Sequence, residues 1–260
     1  MTMSNLDDFL PGPKINYQRC NCALSPSRLP DLDYALNPYS GCSHNCTYCY
    51  APDIMKIDRA VWTEVRVKTG IAKILAKELK VKRGIIGLGT VTDPYQILEA
   101  TVQNTRQCLQ EIVKEDLPVS VLTKSDLILR DSDLYERLSR LEIGFSVATD
   151  DQHARYFEKQ VPLPSQRLKA AKDFIERGMN VYILIGPTIN GITDQSSRLL
   201  DDIAEAGVKR VMIDRLNLRP GLSARLESIL PRSSVDSEQT ANLIKFRCKA
   251  LGIKVEDVFA

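Results

Sequence analysis

Val181-Tyr-Ile-Leu-Ile185 is the longest unbroken apolar run in the chain, and amphipathic patterns over residues 165–178 and 195–207 flank it on either side. A short, uninterrupted apolar strand between two helices is what a parallel sheet covered by helices requires, because its strands are buried on both faces. The same unit recurs outward from this point. Upstream lie a strand near Tyr34 to Asn37, then Ile85-Ile-Gly-Leu-Gly-Thr90, Val119-Ser-Val-Leu122 and Gly144-Phe-Ser-Val-Ala148; downstream lies Arg210-Val-Met-Ile213. Between them the spacing predicts helices over 70–79, with Ile71, Ile74, Leu75 and Leu79 on one face, over 97–114, and over 132–141. A further helix is expected to begin at His153, and an extended stretch over 61–68. Six β-α units predict an α/β fold, a partial (β/α)6 TIM-type barrel with short N- and C-terminal extensions. Its expected parts are an N-terminal extension over 1–32, the barrel over 33–217, and a C-terminal extension over 218–260 packed on the barrel. Residues 1–32 are rich in Pro, Ser, Asn and Asp without a sustained period and are expected to form an irregular arm.

With 260 residues, 43% hydrophobic and 26% charged, the chain can bury one ordinary core. No apolar run approaches the ~20 residues that cross a bilayer, and no secretory signal is recognised, so a cytoplasmic protein with no membrane partner is expected. Thirty-five basic against 33 acidic residues leave a net charge of +2, too little for a strong global pull on a polyanion. Any nucleic-acid contact would need a local patch.

Chemistry concentrates in the loop after the first strand, Gly41-Cys-Ser-His-Asn-Cys-Thr-Tyr-Cys-Tyr50. Cys42, Cys46 and Cys49 form a C-x3-C-x2-C set that a short irregular loop can fold around one corner of a cubane iron–sulfur cluster, leaving one iron with an open position. Such an iron can bind a substrate or cofactor. Structural zinc asks for four ligands in two spaced pairs, whereas the nearest candidates here are His44 inside the loop and the distant Cys20-x-Cys22 pair with a different spacing. A disulfide framework fits poorly with a long chain and an odd count of seven cysteines.

In barrels of this type chemistry gathers at the carboxyl ends of the strands. There this sequence places Thr90-Val-Thr-Asp-Pro-Tyr-Gln96, Thr123-Lys-Ser125, Ser146, Thr149-Asp-Asp151, Pro187-Thr188 and Asp214-Arg-Leu-Asn217. Any one of these residues could equally be a turn former. Lys124 is sharper, a cation directly after a buried strand and suited to neutralising a carboxylate. Thr92 and Asp93 offer acceptors for an amino group, and Ser146 offers a hydroxyl for a ribose or a carboxylate. Gly87-Leu-Gly89-Thr90 lacks the third glycine and the lysine of nucleotide loops, and Pro94 interrupts where a helix should start; its small residues suit close approach of a cofactor to the backbone.

The cysteine spacing, with Tyr48 just before the last thiol, resembles the signature of the radical S-adenosylmethionine enzymes. Asn37 to Pro52, the Gly-Thr-Val-Thr-Asp-Pro-Tyr-Gln segment and Thr123-Lys124 further resemble the spore photoproduct lyase-like branch, over roughly residues 20–220. The resemblance implies a [4Fe-4S] cluster on Cys42, Cys46 and Cys49, with S-adenosyl-L-methionine on the open iron. One-electron reduction then releases a 5′-deoxyadenosyl radical that abstracts hydrogen from a substrate left unidentified. It implies Tyr48 against the adenine, with Thr90, Thr92, Asp93, Lys124 and Ser146 binding the cofactor's amino acid and ribose parts. Oxygen sensitivity and a low-potential electron donor such as flavodoxin or ferredoxin follow from the same chemistry. One departure is Val91, at the position where the lyases resembled carry a hydrogen-donating cysteine. Another is the want of a basic hairpin, since Arg215, Arg219, Arg225 and Arg232 are scattered. A DNA-repair lyase and a non-catalytic iron–sulfur electron carrier therefore remain as alternatives, with nucleic acid a possible substrate and no catalytic residue assigned. Cys108 is expected to be buried and inert, with Cys20, Cys22 and Cys248 outside the barrel, and His44 and His153 are expected to lack the partner that a base needs.

Overall fold

The computed structural model describes residues 15–194, 196, 198–216, 222, 225, 226 and 238–258. The Val181 run becomes one strand of an eight-stranded sheet. Its strands are β2 (Leu24–Pro26), β3 (Tyr34–Leu36), β6 (Ile86–Leu88), β7 (Val119–Thr123), β8 (Leu141–Ser146), β9 (Val181–Thr188), β10 (Arg210–Arg215) and β11 (Lys254–Asp257). They are ordered β11-β10-β9-β8-β7-β6-β3-β2, parallel throughout except for the antiparallel β2–β3 pair. A second sheet, β1-β5-β4, joins β1 (Asn16–Arg19), β5 (Arg66–Thr69) and β4 (Tyr39–Ser40).

Strand alternation divides the large sheet into two faces with different work. Ile86, Leu88, Val119, Val121, Ile143, Phe145, Val181, Ile183, Ile185, Val211 and Ile213 face the helices and are buried in one continuous core. Leu75 of α3 (Ile71–Glu78), Leu109 and Ile112 of α5 (Asn104–Glu115) and Phe174 of α8 (Pro164–Glu176) join them there. So do Ile203 of α9 (Leu199–Glu205) and Ile244 of α10 (Glu238–Ala250). The alternate residues face the other way. Near the amino ends of the strands Ser120 donates to Glu142 (3.3 Å), Arg210 pairs with Glu142, and the Arg210 guanidinium lies 4.9 Å from the centre of the Tyr182 ring. Cation, carboxylate and ring thus fill that end. Near the carboxyl ends the same face carries Ser146, Gly186 and Asp214, followed directly after β7 by Lys124.

Several local expectations are corrected. The helix expected over 97–114 is broken into α4 (Glu99–Val102) and α5 by Gln103 in the left-handed region (φ 56°). The buried Glu99 carboxylate accepts from the first amides of α5, Thr105 (2.9 Å) and Arg106 (3.2 Å), a charge-assisted cap. The stretch over 132–141, which follows a 3-10 turn (Asp126–Asp131), holds only α6 (Ser132–Tyr135) before β8 begins at Leu141, so sheet pairing overrides its helical spacing. The stretch over 61–68 opens with the end of α2 (Arg59–Trp62), capped by Asp58, before β5. In the expected irregular arm, β1 pairs with β5 and β2 with β3. Past residue 217, α10 and β11 add a further parallel strand, and Cys248 is buried in the main core rather than outside it.

Gly144 is required by packing, because a Cβ there would come within 2.3 Å of the hydroxyl end of Tyr182, whose ring leans on Arg210. Gly144→Ala is expected to destabilise the fold by about 1–3 kcal/mol, measured by urea denaturation; an unchanged midpoint would show that Tyr182 has room to turn aside.

Candidate functional site

The cysteine loop spans the carboxyl end of the sheet and has no regular structure to satisfy its own backbone, so each turn of it is tied to another element. Gly41 takes φ +86° against the Trp62 carbonyl, where a Cβ would come within 2.5 Å of that oxygen. The Cys42 amide then donates to the same carbonyl (3.0 Å), and the Ser43 amide to the Gln96 side chain (2.9 Å). The Thr47 amide donates to the carbonyl of Phe157, the last residue of α7 (Asp151–Phe157), at 2.9 Å. Arg59 reaches in from α2, donating to the carbonyls of Cys49 (2.9 Å) and Cys46.

Cys42 and Cys46 are buried and Cys49 is half-buried, all as free thiols. Burial, reinforced by Asp93, pushes the Cys42 thiol up to about 12. Burial also raises Cys46, against the pull of Lys124. Ligation at these sulfurs would therefore expel protons. Among the described residues no three His, Cys, Asp or Glu side chains gather tightly enough to chelate a single ion. One metal holds its thiolates within ~4 Å of each other through bonds of about 2.3 Å, whereas a cubane takes each thiolate on a different iron. Three free cysteine thiols in one short loop are the donor set that a cluster takes.

Around the thiols the structure gathers most of the residues singled out from sequence. The Lys124 ammonium lies 5.6 Å from the centre of the Tyr48 ring. Ser146 is buried and donates to the Gly186 carbonyl (3.3 Å). Thr90 accepts from the Asn37 amide (2.9 Å), and Asn37 in turn accepts from the backbone of Val91 (3.2 Å) and Thr92 (3.4 Å). The buried Thr92 hydroxyl lies 3.5 Å from both the Asn37 side chain and the Tyr39 carbonyl. Asp93 is already held by protein donors: the Tyr95 amide (2.8 Å), the Thr123 hydroxyl (2.7 Å) and the Lys124 amide (2.7 Å). Its carboxylate thereby fixes the backbone of Lys124. Val91 packs with Cys42 and Trp62.

Both histidines do have carboxylate partners, contrary to expectation. His44 Nδ1 is 3.4 Å from Asp93, and burial lowers its pKa, so the ring is neutral at pH 7; His153 Nδ1 is 2.8 Å from Asp150. Arg215 turns to Asp257 (3.5 Å). Asn217, Arg219 and Arg232 lie outside the described residues. Sequence reasoning included Asn37 and Gln96 in its motifs without a role for either, and it missed Arg59 and two buried charges. Glu158, just past α7, accepts from the Tyr48 hydroxyl and pairs with Arg167 of α8. Arg167 left a signal: it occupies the apolar register of α8, in line with Ala171 and Phe174.

A family model for the Radical SAM superfamily matches residues 36–203, and the chain belongs to that superfamily. An uncharacterized protein of Methanocaldococcus jannaschii is 32% identical over 174 residues, 66% of each chain. An uncharacterized protein of Mycobacterium tuberculosis strain H37Rv is 32% identical over 225 residues, 79% of this chain and 66% of that one. The alignments thus take in 66% of the length of these relatives. In fold the chain is similar to a spore photoproduct lyase complexed with dinucleoside spore photoproduct, with a TM-score of 0.70 at 14% identity over 90% of this chain and 79% of that one. It is also similar to Streptococcus suis SuiB bound to S-adenosylmethionine, with a TM-score of 0.57 at 12% identity over 86% and 49%. Among the described residues no helix is long and apolar enough to cross a membrane.

Asp214 faces the same end of the sheet with one buried carboxylate oxygen that no donor meets among the described residues. Burial raises its pKa from 3.8 to about 6, with Lys124 opposing. The folded state therefore holds the Asp214 proton more tightly than the unfolded chain, and stability present below pH ~4 is lost as pH rises through about 6. Asp214→Asn should match wild type at pH 4 and be more stable at pH 8 by about 1–2 kcal/mol, discounted for partial exposure. Equal denaturation midpoints at both pH values would refute the assignment.

Proposed function

We propose that this chain is a radical S-adenosylmethionine enzyme in which Cys42, Cys46 and Cys49 hold a [4Fe-4S] cluster. The observation that carries the reading is the placement of three buried or half-buried thiols beside Lys124 and Tyr48 at the carboxyl end of a parallel sheet. When bound, cluster and S-adenosylmethionine together supply reductive cleavage to a 5′-deoxyadenosyl radical able to abstract hydrogen. The chain's own residues bind and aim. Lys124, its backbone fixed by Asp93, neutralises the cofactor carboxylate. The Asn37-clamped Thr90–Thr92 segment brings backbone and hydroxyls to the amino acid end. Tyr48 walls the adenosyl side, and Ser146 closes it from the end of β8. Trp62, Ala51 and Val91 pack beneath Cys42 and keep water from that sulfur.

The electron donor in this reading is a low-potential carrier of the flavodoxin or ferredoxin kind. The hydrogen-bearing substrate belongs to the substrate-specific part of the site. A lyase mechanism with a thiol donor at position 91 is disfavoured, because Val91 has no abstractable S–H hydrogen and packs into the floor of the loop. An electron carrier would need no cation fixed beside the thiols.

The test is anaerobic reconstitution followed by S-adenosylmethionine and a strong reductant, with 5′-deoxyadenosine quantified. Wild type is expected to produce it, Cys46→Ala to lose both the cluster chromophore and at least about 100-fold of the product. Lys124→Ala should raise half-saturation for S-adenosylmethionine by about 10-fold, the worth of one charge-assisted contact. A reducible cluster with no cleavage in wild type would instead establish the electron carrier.

A further inference from the structure

We propose that Glu158 and Arg167 are positioning residues that set the adenosyl side of the cofactor site by holding Tyr48 and Ser146 in register with each other. The inference rests on the cofactor reading above and goes further, since neither residue belongs to the cysteine loop or to a strand end.

Arg167 is 0% exposed, in the first turn of α8 on its buried face. A guanidinium there is costly to desolvate unless its donors are met. Here all three of its nitrogens are engaged: Nε donates to the Pro162 carbonyl (2.8 Å), Nη1 to the Ser146 carbonyl (2.9 Å) and Nη2 to Glu158. Glu158 is 5% exposed, and its second oxygen receives the Tyr48 hydroxyl. The result is a continuous buried chain from the ring of the cysteine loop, through one carboxylate and one guanidinium, to the main chain at the end of β8. The neighbouring bond from the Thr47 amide to the Phe157 carbonyl fixes the loop backbone beside the same carboxylate.

This arrangement does more than fill space. Apolar residues of the same volume would stabilise the core at least as well as a buried ion pair. What they could not do is fix the rotation of a phenol ring, because that takes a directional bond to its hydroxyl. The ring so fixed is the one beside the Lys124 ammonium, so the pair governs the spacing between that cation and the wall formed by Tyr48. Ser146, held by its carbonyl, keeps its hydroxyl on the Gly186 carbonyl.

Tyr48→Phe, Glu158→Gln, the double variant and Arg167→Lys, each anaerobically reconstituted, test the proposal. The readouts are iron content, the S-adenosylmethionine dissociation constant by equilibrium dialysis, and the electron paramagnetic resonance spectrum of the reduced cluster with and without S-adenosylmethionine. Iron content should stay at the wild-type level in Tyr48→Phe, which deletes one oxygen and is the variant that carries the test if a change at Glu158 or Arg167 prevents folding. Tyr48→Phe and Glu158→Gln should each weaken S-adenosylmethionine binding by about 10-fold. The double variant should be no weaker than the worse single one, since both act through one bond. The cofactor-induced change in the spectrum should be displaced. Wild-type affinity and spectrum in a folded, cluster-loaded Tyr48→Phe would overturn the proposal and leave the pair a structural one. No spectral response to S-adenosylmethionine in wild type would overturn the cofactor reading and this inference together.

Discussion

An irregular loop carrying three thiols has no ladder in which to pair its own backbone, and buried amides without partners are costly. The fold meets that constraint by bringing other elements to the loop. The Trp62 carbonyl, the Gln96 side chain and the Phe157 carbonyl each take one of its hydrogen bonds, and the Arg59 guanidinium gives two. All lie after the loop in sequence, in α2, after β6 and at the end of α7. Much of what looks like ordinary connection in the first half of the chain, the turn at α2 and the segment after β6, is there to hold this loop open over the sheet.

Strand alternation then keeps stability and chemistry apart. One face of the sheet is Val, Ile, Leu and Phe against helices. The other is closed at the amino end by Arg210, Glu142 and Tyr182, and carries at its carboxyl end the groups that meet the loop. Replacing a residue on the first face alters the core, and on the second face Gly144 is constrained in turn by its packing against Tyr182. The family membership and the likeness to spore photoproduct lyase and SuiB both concern this framework, and at 12–14% identity the shared element is the fold itself.

The parallel strands were legible because each is a short apolar run with an amphipathic neighbour, a signal local to the segment. Helix 97–114 was misread because its interruption at Gln103 has a distant cause. Glu99 is buried by contacts with Arg130, Tyr39 and the first turn of α5, and those contacts decide where the helix restarts. Similarly, the spacing of Leu134 and Leu138 is helical, yet β8 claims Leu141 by pairing with Val119. Asn37 and Gln96 stood within motifs without a role of their own and Glu158 gave no sequence signal, because the partners of all three lie far along the chain.

By itself the sequence determined the order of strands and helices, the three-thiol loop and the cation at the end of the third expected strand, because periodicity and ligand spacing are properties of neighbouring residues. Only the tertiary structure decided that Asp93 holds Lys124 rather than standing free, and that both histidines face carboxylates. It alone showed that the last helix and strand extend the sheet, and that Tyr48 is tied through Glu158 and Arg167 to the end of β8. Those are contacts between residues far apart in sequence, and no local pattern encodes which buried charge will find which partner.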